Sequence, residues 1–285
     1  MPDLSWLFER YTIPLDDWIQ AGVDWLILNM RPFFLAIRWP VAKTLDGLEA
    51  FFLALPVWIF LAVLFALAWR IAGRRVAISA VASFLFIGFL GLWPMTMTTI
   101  AMVMTSVVFC AVVGMPLGIL SARSDPLWNS IRPILDAMQT TPTFVYLVPI
   151  VMLFGIGNVP AVMATIIAAM PPMVRLTNLG IRQVQGELVE AGMSFGCTRA
   201  QLLKEVQIPL ALPTIMAGLN QSLMLSLSMV VIAALIGARG LGLTVYQGIN
   251  RLDVGLGGIA GIAIILLAIT LDRITQALAK QRDQK

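Results

Sequence analysis

Long apolar runs alternate along this chain with short clusters of charge, and the runs define the elements. A helix needs about 20 apolar residues to cross the hydrocarbon of a bilayer. Phe51–Trp69, FFLALPVWIFLAVLFALAW, has that length and ends at Arg70. No charge follows between Arg75 and Arg123. Pro94, in LWPMT, interrupts the helical ladder there, so the gap predicts two spans, at 76–93 and 98–120. Residues 137–174 are also uncharged, with a turn signal, GIGNVP, at Gly155–Pro160. Two short crossings are expected, at 139–154 and 159–174, followed by spans at 214–236 and 254–271. The expectation is an all-α membrane protein with about seven transmembrane helices.

Before the first span, Leu15, Trp18, Ile19, Gly22 and Leu26 recur at helical spacing, with Asp16, Asp17, Gln20 and Asp24 opposite. This predicts an amphipathic helix lying in the interface, a packing anchor or a docking element. The first residues, MPDLSWLFERYTIPLDD, lack a basic region followed by an apolar one and do not read as a cleavable signal peptide.

Basic residues test the count through the positive-inside rule. Seven spans put Arg70, Arg74, Arg75, Arg123, Arg132, Arg175, Arg182, Arg199, Lys204, Arg273, Lys280, Arg282 and Lys285 on one side, leaving six of the 19 on the other. The richer side is the cytoplasm, so the N-terminus is expected outside and the C-terminus inside.

Composition agrees. The chain has 285 residues, 59% hydrophobic and 12% charged, whereas soluble domains carry about 25% charged residues. Its +4 net charge reports topology, and no basic patch interleaved with aromatics suggests nucleic acid. With no histidine and only Cys110 and Cys197, which read as unrelated free thiols, no metal site is expected. The predicted spans hold no ionisable residue to bind a coupling ion, and no phosphate-binding G-x-x-x-x-G-K-[ST] occurs. GARGLG (Gly237–Gly242) has the wrong spacing for nucleotide and reads as a glycine-rich bend. The chain is therefore expected to be no enzyme and to have no energy source or cofactor of its own. It is either a passive, osmotically gated pore or a gate driven by a partner; a membrane enzyme would need motifs that it lacks.

One stretch breaks the pattern. Between Gly186 and Pro213 lie Glu187, Glu190, Arg199, Lys204 and Glu205. Leu188, Ala191 and Phe195 form an apolar stripe, and Gly196 can end a helix in a left-handed conformation. Thr198 and Gln201 can form a capping box for a second helix, which Pro209 and Pro213 are expected to stop. Ala191 and Gly192 are expected to give the exposed face small residues for close approach. The result is a short rigid knob suited to a socket, or more plainly a connecting loop.

Glu190-Ala191-Gly192, Gly196 and Val206-Gln207-Ile208-Pro209 resemble the signature of ABC-importer permeases, E-A-A, three residues, G, nine residues and I-x-L-P. Gly192 replaces the second Ala, and Val206 and Ile208 replace Ile and Leu. PILDAMQTTPTFVYLVPIVMLFGIGNVP, PTIMAGLNQSLMLSLSMVVIAALIGARGLG and INRLDVGLGGIAGIAIILLAITLDRITQ look like permeases of glycine betaine, proline betaine and choline importers. The resemblance implies a type I, MetI-like permease core at 94–285, two accessory helices at 50–93 and an N-terminal segment at 1–49. It also implies a coupling helix at 187–206, with Glu187, Glu190, Ala191, Gly192, Phe195, Gly196 and Pro209 meeting a cytoplasmic ATP-binding subunit. An external substrate-binding protein and a second permease copy, expected to be identical, complete the assembly in a bacterial inner membrane. Small polar residues on the spans are candidates for the pathway: Gln139, Thr140, Thr141, Asn220, Ser222, Ser226 and Ser228. Helix packing is the rival role for the serines and for Gly257-x-x-x-Gly261. An amino acid is the alternative solute.

Overall fold

The computed structural model describes residues 14–283; the start of the N-terminal segment and the last two residues of the charged tail lie outside that range. Among the described residues every regular element is a helix. α1, Leu15–Ala54, is 40 residues long. Pro56 follows it, and α2, Val57–Ala72, leaves at 107°. The predicted span at 51–69 is thus divided. Phe51–Ala54 end the long helix, and Pro56, which favours extended backbone in the residue before it, turns the chain at Leu55 (ψ 123°). α3, Arg74–Phe89, packs back on α2.

Next comes α4, Trp93–Phe109, where Pro94 sits in the first turn, a position that needs no amide hydrogen. It runs through a π-turn, Cys110–Gly114, into α5, Met115–Ala122. α6, Asp125–Thr140, and α7, Leu147–Phe154, are short. The predicted crossing at 139–154 is therefore not one helix: α6 ends as that stretch begins, and a turn containing Pro142 precedes the eight residues of α7. α8, Asn158–Arg182, begins where the second short crossing is expected but runs 25 residues, eight beyond the predicted end at 174, because helical backbone continues through Arg175 and the polar turn that follows it. α9, Gly186–Ser194, and α10, Arg199–Gln201, form the charged insert. A π-turn, Leu202–Gln207, leads into α11, Ile208–Ala233. α12, Leu241–Arg251, and α13, Val254–Asp283, complete the chain.

Pro209 and Pro213 do not stop the second helix of the insert; helical backbone continues from Arg199 to Ile236. The ring of a proline collides with the carbonyl four residues back. For Pro209 that residue is Glu205, inside the π-turn, where the wider winding opens space. Pro116 is accommodated in the same way, with Val112 inside the first π-turn.

α8 and α11 form the centre of the fold and pack most extensively. Small residues let them approach: a Cβ on Gly180 would lie 3.0 Å from Thr214 Cβ, and one on Gly218 would lie 3.1 Å from Leu176 Cβ. α5 crosses α8 still more closely, since a Cβ on Gly118 would meet the Val174 carbonyl oxygen at 2.8 Å. One apolar cluster joins α1, α4, α7, α8 and α11; a second joins α3, α4, α11 and α13. Among the described residues, four continuous helical stretches are long and apolar enough to cross a membrane: 93–122, 158–182, 199–236 and 254–279; the bent pair α1–α2 makes a fifth if taken as one span. α3 and α7, with 16 and 8 residues, fall short of that length.

Candidate functional site

The insert folds as a helical knob at one end of α8 and α11. In α9 no residue is buried. Its C-terminal turn closes with Cys197 N–H donating to the Gly192 carbonyl at 3.1 Å, and Gly196 takes φ +81°, the left-handed geometry expected of it. Thr198 then caps α10 as the spacing indicated. Its Oγ1 accepts from Gln201 N–H at 3.3 Å, and Gln201 Oε1 accepts from Thr198 N–H at 2.9 Å.

The surface of the knob is apolar for an exposed element. Phe195 is 89% exposed, Met193 55% and Leu188 42%, and Glu187, Glu190 and Ala191 are exposed beside them. Gly192, expected on that face, instead lies against the second helix. A Cβ there would be 2.7 Å from Leu202 Cδ1, so glycine lets the two knob helices close. Pro209 is exposed where the knob enters α11. Beneath the knob, a cavity of about 310 Å³ is lined by Gly180, Gln183, Val184, Gln185, Leu188, Leu210 and Thr214.

The polar residues singled out on the spans divide into two groups. Ser222 and Ser226 are 0% and 1% exposed. Ser222 Oγ donates to the Ala169 carbonyl of α8 at 2.7 Å, and Ser226 Oγ donates to the Ser222 carbonyl at 2.8 Å. Both hydroxyls are committed within helix packing. Gln139, Thr140 and Ser228 are exposed, and Thr141 is half-buried at the end of α6. Asn220 Nδ2 donates to Asp272 Oδ1 of α13 at 3.0 Å, and Asn220 lines a cavity of about 460 Å³ with Met216, Met224 and Gln276. Gly257 lies near Gly248 of α12, whereas Gly261 has open space around it.

Two polar clusters have no signature in the sequence. At the knob end, Asp136 of α6 pairs with Arg175 of α8. Asp125 pairs with Arg182 at 2.7 Å, so α6 is fastened to α8 at two points. At the opposite end, the Glu49 carboxylate of α1 accepts from Thr98 Oγ1 of α4 at 2.9 Å and from Asn158 Nδ2 of α8 at 3.4 Å. Asn158 Oδ1 accepts from Arg239 N–H at 2.7 Å, and Thr99 Oγ1 accepts from Leu241 N–H at 2.9 Å. The loop 237–240 is thereby seated on α4 and α8. The partners in this cluster lie 49, 109 and 81 positions apart, a separation that no local pattern reveals.

Comparison with known proteins places this geometry in context. Residues 114–284 match the family described as "Binding-protein-dependent transport system inner membrane component". The chain is 52% identical over 273 residues to the glycine betaine/proline betaine transport system permease protein ProW of Escherichia coli (strain K12), covering 96% of this chain and 77% of that protein. It is 46% identical over 273 residues to the glycine betaine transport system permease protein OpuAB of Bacillus subtilis (strain 168), covering 96% and 97%. Among solved structures, an inward-facing form of the MetNI methionine ABC transporter superposes with TM-score 0.59 at 21% identity, covering 65% of this chain and 92% of that chain.

Proposed function

The chain belongs to the binding-protein-dependent transport system inner membrane components, and from that premise we propose that it carries a quaternary ammonium solute of the glycine betaine and proline betaine type, driven by ATP hydrolysis in a separate subunit. The solute class rests on relatives named for glycine betaine transport that are 46–52% identical over nearly the whole chain. The drive rests on the knob. An aromatic ring 89% exposed on an element charged enough to stay in water is a surface built to be covered by another protein.

The assembly follows from the same reading: a cytoplasmic ATPase on the knob, a solute-binding protein on the opposite face, and a second, identical copy of this chain. The N-terminus lies outside and the C-terminus inside, a placement supported by the 13 basic residues that seven crossings put on one side. The ATPase grips Glu187, Glu190, Ala191, Phe195 and Gly196. Because helical backbone runs on from Arg199 to Ile236, a displacement of the knob is carried directly into the membrane rather than lost in a hinge. The π-turn at Leu202–Gln207 is the point where that rod can rewind. Solute selection belongs mainly to the binding protein, where an aromatic cage can hold a quaternary cation by cation–π attraction. The permease offers a weakly polar path past Gln139, Thr140, Thr141, Asn220 and Ser228.

The test is ATP hydrolysis by the complex reconstituted in liposomes with its binding protein. Glycine betaine or proline betaine should stimulate hydrolysis, and each should compete for uptake of the other. Glu190→Lys should abolish ATPase pull-down. Solute accumulation by this chain alone would overturn the reading in favour of an autonomous carrier.

A further inference from the structure

Where α1 meets the rest of the fold its contacts are apolar, with Val41 and Leu45 buried and Leu48 and Phe52 packed on the neighbouring clusters. Glu49 is the exception. A carboxylate in such a contact is costly unless donors meet it, and the donors here, Thr98 and Asn158, come from two other helices.

We propose that Glu49 is a positioning residue for the loop 237–240, holding it seated on α4 and α8 and tying that seating to the N-terminal helix. The argument is one of hydrogen-bond polarity. An ionised carboxylate only accepts, so Asn158 must present its NH2 to Glu49. The other end of the amide, Oδ1, is then turned toward Arg239 N–H. Thr98 and Thr99 are neighbours, and the second of them accepts from Leu241 N–H. Gly157 N–H adds a bond to the Ile236 carbonyl at 3.0 Å on the other side of the loop. Glycine at 240, with φ +103°, permits this approach, since a Cβ there would lie 2.6 Å from Thr99 Oγ1. For the loop to move, it must leave this seat. A glutamine at position 49 could present either end of its amide, so the direction of the chain of bonds would no longer be imposed; an alanine would remove the anchor.

The inference rests on the permease reading only in giving the loop a part in transport. The test needs neither solute nor nucleotide. Ala238, a fully buried residue of the loop, is replaced by cysteine in the full chain with Cys110→Ala and Cys197→Ser, and the protein is placed in nanodiscs. The rate of maleimide labelling then reports opening of the loop. Glu49→Ala should label about fivefold or more faster than the Glu49 chain, as loss of a charged acceptor implies. Glu49→Gln should fall between them, and the melting temperature should be unchanged. Ile236→Cys is a second probe and should give the same order. Labelling within about twofold in both variants, at both probes, would overturn the proposal. So would faster labelling accompanied by a lower melting temperature, since that reports a general loss of structure. Failure of the transport reading would show separately, as an assembled complex whose hydrolysis ignores the solute.

Discussion

α8 and α13 differ in a direction opposite to intuition from soluble proteins. The more apolar helix is the less buried. α13, with mean hydropathy 2.5, has 22% of its span buried within the subunit, whereas α8, at 1.6, has 72%. In a bilayer the tails of the lipids are as apolar as leucine, so hydropathy drives insertion while packing decides which helix lies inside. α8 is central because it is lined with small and mildly polar residues: Ala161, Ala164, Thr165, Ala169, Thr177 and Asn178 are all buried. α13 instead turns Ile262, Ile265 and Ile269 outward.

This contrast can be broken by substitution. The largest effect is expected at the closest crossing of α8. Gly118→Val would put a side chain where a single Cβ already meets the Thr177 Cβ at 2.6 Å; no assembled protein should be recovered, as judged by size-exclusion chromatography of the solubilised membrane. Ala164→Leu, on the same helix with no exposed surface, should destabilise by about 1–3 kcal/mol through overpacking, measured by thermal unfolding in detergent. Away from the membrane, Thr198→Ala removes the cap of the second knob helix and should cost about 1 kcal/mol locally, read as faster hydrogen exchange in 198–202. Ser222→Ala removes one interhelical bond between α11 and α8, worth roughly 0.6 kcal/mol in such settings. It should lower the melting temperature slightly and leave the KM for uptake unchanged; a change in KM alone would return Ser222 to the solute path. Ile265→Leu on α13 should be the smallest, within about 0.5 kcal/mol.

The parts of the fold legible in the sequence were those encoded by neighbours. Gly196 and the Thr198–Gln201 box were readable because a turn and a cap are set by residues within four positions. The starts of α8 and α13 are legible because an uncharged run is a local property, but both helices continue past the charge that closes the run, to Arg182 and Asp283. The failures have equally specific causes. Pro209 looked like a stop because a standard α-helix cannot hold it, and only the π-turn at Leu202–Gln207 removes the collision. The stretch at 139–154 looked like one span because hydropathy is blind to the turn after Pro142. The bond from Asn220 to Asp272 is not legible in the sequence, because the two stand 52 residues apart. Glu49 is illegible for the same reason, since its donors, Thr98 and Asn158, lie 49 and 109 positions along the chain.

The length of α1 has a mechanical result. Forty residues at 1.5 Å each make a rod of about 60 Å, roughly twice the thickness of the hydrocarbon. Its buried residues, Val41 and Leu45, lie only in its last third. A boom clamped toward one end magnifies whatever happens at the clamp: over the roughly 40 Å from Val41 back to Leu15, a tilt of about 5° moves the N-terminal end of the helix by about 3 Å. Trp18 and Trp25, near the tip and each about 60% exposed, would then sweep through their surroundings whenever the clamp shifts, which makes their fluorescence a natural gauge of that swing.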